Sequence, residues 1–419
     1  MKHWISSFAL VWATTGVCAE PPVQNSNLNA VLFYQLLLGE LSVQTGEPGA
    51  GFSILLDAAR KTKNEALFQR ATELALQSRS GEAALQATRS WKSSLPESQE
   101  ANRYTLQILL ALNRVEEAGR ALKASLAELP VKEQSAAIGS IPRVFNRVQD
   151  RNFAAKVVEQ ALSSAIQNPE TAATAWTTIG RMHRDARQWP QAIDAALKGH
   201  ASDPQAQGPL ILALSLLPQN SPAIRHMLDN AMRTPVSAEL RLGYARSLIA
   251  LQATRDALAQ LQQLTAEHPG FAPGWLLLGL LQVDAGQTAQ ARQSLSRHVD
   301  LAKDSADPEQ QAGLTEALMA LSQLAQQQGQ LEQAARWLQQ IPASADPVRL
   351  AIRRAELLEQ QGRAEEARVV LTQVQPATAE QGRRKTLALS RWMRENRQAP
   401  QAYTLLKQAL SQAPQAHVW

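Results

Sequence analysis

The feature that most constrains this chain is a spaced pattern near its middle. Trp176, Ile179, Gly180 and His183 fall in one segment, and Ala192, Ala196 and Pro204 follow in the next. These spacings predict two helices packed as a hairpin. Gly180 and Ala192 remove side-chain volume where two helices cross, and Trp176 and Ile179 fill the space beside them. Pro204, which has no N–H to continue a ladder, ends the second helix. A hairpin of this size cannot bury its apolar face alone, so neighbours of the same kind are expected on both sides.

The pattern recurs along the chain. Aligning Ala and Pro anchors places unit starts near Val31, Glu65, Gln99, Ile138, Ala173, Pro204, Ala238, Ala272, Thr315, Val348 and Arg383, most of them about 34 residues apart. Trp275, Leu278 and Gly279 with Ala291 form a good copy. Tyr244 and Ala245 with Ala257 and Pro269 form another, and Ala84, Trp91 and Pro96 mark a further second helix. This order resembles the tetratricopeptide repeat (TPR). The resemblance implies an all-α fold, a solenoid of about eleven helical hairpins wound as a right-handed superhelix. Composition points the same way: 45% of the 419 residues are hydrophobic but only 5% aromatic, as in packed helices with polar outer faces. A repeat array grows by addition, so length does not count its domains.

Two irregularities are expected. The unit from Pro204 is short, carries Pro209, Pro218 and Pro222, and lacks the aromatic–glycine pair. It predicts a kink or weak joint over 204–237, between sub-arrays at 31–203 and 238–419. The stretch from Leu301 to Gln311 predicts an extended loop. The glutamine-dense zone from Gln310 to Gln340 keeps apolar spacing through Leu318, Leu321, Leu324 and Leu338, and reads as a solvated helix face. At the far end, Pro414–Trp419 stands where another helix would start, which implies a docked end or a longer protein.

Residues 1–19 read as an export signal, with Lys2 and His3 ahead of an apolar run from Trp4 to Val17 and a cut expected after Ala19. Residues 20–30 form a Pro- and Asn-rich leader. Cys18, the one cysteine, offers a second reading as a lipidated first residue with an outer-membrane anchor. Thr15-Gly16-Val17 before it lacks the Leu and the small residue such sites favour, so periplasmic export is the expectation. No intrachain disulfide is open to a single cysteine.

Catalytic chemistry finds no constellation. The seven histidines are scattered without an i, i+4 pair, which argues against a metal site. Gly46–Gly51 lacks the Gly-Lys-Ser/Thr of a phosphate loop and reads as an inter-helix turn. His183 reads as a packed core residue. No catalytic residue, cofactor or metal is assigned. The balance of 42 basic and 37 acidic residues is small and interspersed, which argues against nucleic acid as a partner.

Binding offers more. Positions 2, 5, 9 and 12 of each first helix point away from the second helix, into the concave groove expected of such a solenoid. They hold Arg103, Arg181, Arg184, Arg246, Arg349, Arg384, Arg391 and Arg394, interleaved with Leu242, Leu276, Leu280, Val283, Met319 and Leu387. Arginine forks can hold carboxylates of an extended peptide while the apolar positions take its side chains. The alternative is that these arginines solvate a face and pair with Glu239, Glu316, Glu356 and Glu359. No unit combines Lys at position 5 with Asn at position 9, the carboxylate clamp of chaperone-binding TPR domains.

A narrower likeness lies at the N-terminal end. Tyr34–Glu40, Gly46, Ala58-Ala59-Arg60, Thr62, Arg70–Ala75 and Ala83–Trp91 resemble the opening of proteobacterial envelope TPR lipoproteins. One group of these acts as an adaptor for a periplasmic carboxyl-terminal processing protease. The resemblance implies a non-catalytic scaffold that holds the protease and delivers its substrates. A TPR component of polysaccharide export or surface-structure assembly is the alternative.

Overall fold

The computed structural model describes residues 30–341 and 345–412. Every regular element among them is helical, and they fall into two compact units that divide after Thr171. In the first unit, α1 (Ala30–Gln44) pairs with α2 (Pro48–Thr62) and α3 (Glu65–Gln77) with α4 (Gly81–Ser94). Next come α5 (Gln99–Ala111) paired with α6 (Val115–Glu128), then α7 (Val131–Phe145) and α8 (Arg151–Ala161), of which α8 packs on α6. In the second unit, α9 (Ala172–Asp185) pairs with α10 (Trp189–Ser202), α11 (Gln207–Leu216) with α12 (Pro222–Ala231), and α13 (Ala238–Ala250) with α14 (Thr254–Glu267). Then come α15 (Ala272–Asp284) with α16 (Thr288–Ala302), and α17 (Pro308–Gln327) with α18 (Leu331–Gln339). The last pairs are α19 (Pro347–Gln360) with α20 (Ala364–Gln373) and α21 (Ala379–Glu395) with α22 (Ala399–Gln412).

One turn closes most of these hairpins. A residue with positive φ follows the first helix at Gly46, Arg79, Asn113, Arg187, Gln252, Gly286, Gly329, Gly362 and Arg397. The next residue sends its N–H five positions back, as in Gln188 to the His183 carbonyl at 2.8 Å and Gln287 to the Gln282 carbonyl at 2.8 Å. This left-handed cap satisfies carbonyls that a helix end would otherwise leave open. The α7–α8 and α11–α12 connections depart from it. Pro218 follows α11 at the position of the cap's left-handed residue, where a proline ring can neither take a positive φ nor supply the backbone donor.

The crossings are as close as the spacing predicts. A Cβ added at Gly180 would lie 2.3 Å from Leu212 Cδ2 and 3.2 Å from Ala195 Cβ. At Gly279 it would meet Leu295 Cγ at 2.6 Å and the Leu295 backbone nitrogen at 3.1 Å. Ala192 and Ala291 are fully buried against these crossings. Trp176 and Trp275 are half-buried, with Lys198 Nζ 4.8 Å from the Trp176 ring centroid and the Trp275 indole N–H donating to the Pro269 carbonyl at 3.0 Å. Pro204 lies just beyond the end of α10. In the first unit the core runs through Leu55, Phe68, Leu74 and Trp91, with the Phe68 and Trp91 rings stacked at 6.3 Å.

Two expectations change. The 204–237 stretch is not a weak joint: Leu210, Leu212, Leu216, Ile224 and Leu228 are buried in one continuous core that reaches from Ala192 to Leu281. Its shortened helices still supply the volume that a signature aromatic would. The loop expected within 301–311 spans residues 303–307, because α16 runs to Ala302 and Asp307 caps α17, its carboxylate accepting from the Glu309 N–H at 3.0 Å with Pro308 in the first turn. In Gly46–Gly51 only Gly46 belongs to the turn. Gly51 lies within α2, where a Cβ would come 2.6 Å from the Gly39 carbonyl oxygen on α1. The export signal, its cut after Ala19, Cys18, the leader up to Asn29 and Pro414–Trp419 lie outside the described residues.

Candidate functional site

Equivalent positions of successive first helices touch one another in the second unit. The Arg184 guanidinium donates to Ser215 Oγ at 3.3 Å, from α9 to α11. Arg349 grips Glu316 with both forks, one of them at 2.9 Å, from α19 to α17. Arg353 Nη2 donates to Gln323 Oε1 at 2.9 Å, and Arg391 Nη1 lies 3.7 Å from Glu356 Oε1. Each contact spans about one repeat, so these side chains share a single face of the stacked first helices.

Charge is handled differently along this face. Arg181 is half-buried with no ion pair among the described residues; burial, and then the neighbouring Arg184, push its guanidinium below the ordinary arginine value. Arg246 is exposed and also without an ion pair there. Arg184 pairs with Asp185 beside it at 2.9 Å. Toward the other end, Arg349 is tied to Glu316, Arg384 to Glu380 at 3.1 Å and Asp346 at 3.6 Å, and Arg391 to Glu395 at 2.9 Å. Arg394 is exposed in the last turn of α21, where a cation faces the helix's negative end. In the first unit, Arg103 pairs with Glu100 and lies 4.9 Å from the Tyr104 ring centroid.

The apolar positions are less open than their spacing suggests. Leu242 and Met319 are buried. Leu276, Leu280 and Val283 are half-buried and pack on the core formed by α16 and α17, with Leu276 beside Gly313. They join one hairpin to the next and leave only an edge to a ligand. His183 is buried, its Nδ1 2.7 Å from Gln188 Oε1.

Sequence reasoning passed over a buried polar spine beneath the face. Arg241 is fully buried, and its Nη1 donates to the Met232 carbonyl and to Gln260 Oε1, both at 3.0 Å, while Nη2 lies 3.1 Å from Glu267 Oε2. The Tyr244 hydroxyl donates to Asp229 Oδ1 at 2.5 Å, and burial together with that carboxylate pushes its pKa far above the ordinary tyrosine range. Arg225 links Asp229 and Asp256 over the Tyr244 ring. The only signal was Arg241 standing between Leu240 and Leu242. Among the described residues no group of three His, Cys, Asp or Glu side chains is placed to hold a metal, and no helix is long and apolar enough to cross a membrane.

Residues 68–132 and 232–308 match the family model described as tetratricopeptide repeat. No curated protein matches the chain. Solved structures with similar folds include a chain of the APC/C hetero-tetramer Cut9–Hcn1, 12% identical over 92% of this chain and 88% of that one, with a TM-score of 0.31. The C-terminal part of a TPR repeat-containing protein from Cytophaga hutchinsonii is 10% identical over 65% of this chain and 93% of that one, TM-score 0.37. YrrB, a TPR protein described as having an unusual peptide-binding site, is 13% identical over 50% of this chain and 100% of that one, TM-score 0.34. The two matched stretches, the repeated hairpin turn and the glycine or alanine at the helix crossings give the described residues a tetratricopeptide-type fold of stacked helical hairpins.

Proposed function

We propose that this protein is a non-catalytic scaffold that binds an extended or partly unfolded polypeptide along the first helices of its second unit. A TPR array serves as a scaffold for protein partners or peptides. The observation that supports this face is Arg181: a guanidinium that burial disfavours, near Asp185 but without an ion pair among the described residues, gains from an incoming acid. Arg246 adds a second cation with no ion pair among the described residues. The likeness of the N-terminal segment to envelope lipoproteins supports a finer reading, a periplasmic adaptor that delivers substrates to a carboxyl-terminal processing protease.

Two experiments test these levels separately. Substrate turnover by the cognate protease is measured with the wild-type scaffold, with an Arg181→Gln/Arg184→Gln variant, and with none. The adaptor reading expects turnover to fall from the first to the second and again to the third; equal turnover in all three eliminates it. N-terminal sequencing of protein from the periplasmic fraction is expected to begin at Glu20. A lipidated Cys18 in the membrane fraction overturns plain export.

A further inference from the structure

A cavity opens on this face between α19, α20 and α21. Its floor is apolar, formed by Ile352, Leu371, Ala388 and Trp392, and its mouth carries Glu356, Glu359 and Arg391. The opening continues past Glu395. Arg391 lies 2.9 Å from Glu395 and 3.7 Å from Glu356, and Arg353 lies 3.0 Å from Glu356. Two guanidiniums therefore face three carboxylates, and Glu359 is left over. Its Oε1 is buried with no hydrogen-bond partner. Burial, and then Glu395, raise its pKa above the ordinary carboxylate value despite the nearby Arg391, so its charge is held at a cost.

We infer that this cavity receives a cationic side chain with an aliphatic stem, lysine above all, from the bound polypeptide. The stem lies on Ile352, Ala388 and Trp392 while the ammonium reaches Glu359, converting an unsatisfied buried oxygen into a charge-assisted hydrogen bond. A bare metal ion fits poorly, since it would leave the apolar floor wet. With Arg181 and Arg246 at the other end of the unit without ion pairs among the described residues, the preferred segment is dipolar, acidic where it meets α9 and α13 and lysine-bearing where it meets α19 and α21.

This inference rests on the proposed binding face, and the test separates the two. Fluorescein-labelled twelve-residue peptides, with aspartates at one end, leucines between and one lysine at the other, are titrated into the full chain by anisotropy. A second peptide carries norleucine in place of lysine. The wild-type protein is expected to bind the lysine peptide about tenfold tighter. Glu359→Gln should erase that preference, whereas Arg181→Gln should weaken both peptides alike and preserve it. If wild type binds the two peptides equally, or if Glu359→Gln keeps the preference, the cavity inference fails while the binding face stands. If neither peptide binds, both fail.

Discussion

The two ends of the first-helix face in the second unit carry the same residue type at equivalent positions and treat it oppositely. Around α9 and α13, Arg181 and Arg246 have no ion pair among the described residues. Around α19 and α21, Arg349, Arg384 and Arg391 are each tied to a carboxylate, and there the unpaired charge is an acid, Glu359. Position within the repeat decides which side chains reach the face. Acids on the same helix and on neighbouring repeats together decide which of them stay available to a partner.

That comparison depends on the register of the repeats, and the largest expected effect tests it. Replacing Gly279 by Val should destabilise the protein by about 1–3 kcal/mol or more, because the new side chain meets the Leu295 backbone nitrogen and cannot displace it. Gly180→Val should cost less, since its nearest neighbour is the movable end of Leu212. Thermal melts that leave both variants at the wild-type temperature would remove the register and the comparison with it.

Second in size is the contrast between the α9 arginines, Arg181 without an ion pair among the described residues and Arg184 paired with the adjacent Asp185, and Arg349, tied to another repeat. Arg181→Gln/Arg184→Gln should weaken binding of an acidic peptide about tenfold with little change in melting temperature, and the wild-type affinity should fall as salt rises, screening acting over about 8 Å at physiological strength. Gln is preferred to Glu here because Asp185 lies beside Arg184 and a reversed charge would add repulsion. Arg349→Gln should leave peptide affinity unchanged and cost only about 0.2–1 kcal/mol, since both partners of its ion pair are 44% exposed. Equal loss of binding from the two changes would erase the distinction.

The smallest effect concerns what joins the two ends. His298 is buried between α15 and α17, its Nδ1–H donating to the Ala272 carbonyl at 2.9 Å, and burial holds its pKa below the ordinary 6.5. The folded state then binds fewer protons than the unfolded one between the lowered value and 6.5. The stability linked to this group is complete above pH 6.5 and declines as pH falls through that window. His298→Asn keeps a donor for Ala272 and should flatten the decline in a series of denaturant melts between pH 7 and 5; an unchanged slope would assign the acid sensitivity elsewhere.

The hairpins were legible because close crossings demand Gly or Ala, whereas the turns between them take Arg, Asn or Gln as well as Gly. The starts of α3, α5, α13 and α15 coincide with the expected unit starts at Glu65, Gln99, Ala238 and Ala272. Helices α7 and α17 begin seven residues before Ile138 and Thr315, since Pro130 and Asp307 stand as N-caps ahead of the apolar spacing. The arginine positions were legible as a face, and their pairing with Glu316 and Glu356 was one of two open readings. Which arginines escape pairing was not, because acids on the same helix, such as Glu380 and Glu395, compete with acids about one repeat away, such as Glu316 and Glu356. Nor did any pattern reveal Arg241, whose burial depends on three acceptors brought together by folding alone. The burial of Leu242 and Met319 escaped for a like reason: the next helix, not the helix itself, covers them.

Hydrogen–deuterium exchange of the full chain, with and without the lysine-bearing acidic peptide at saturation, tests the central claim most directly. The account predicts slowed exchange concentrated in the first helices α9, α13, α19 and α21, with α10, α14 and α20 unchanged. Protection confined to the second helices, or spread evenly over both, would contradict it.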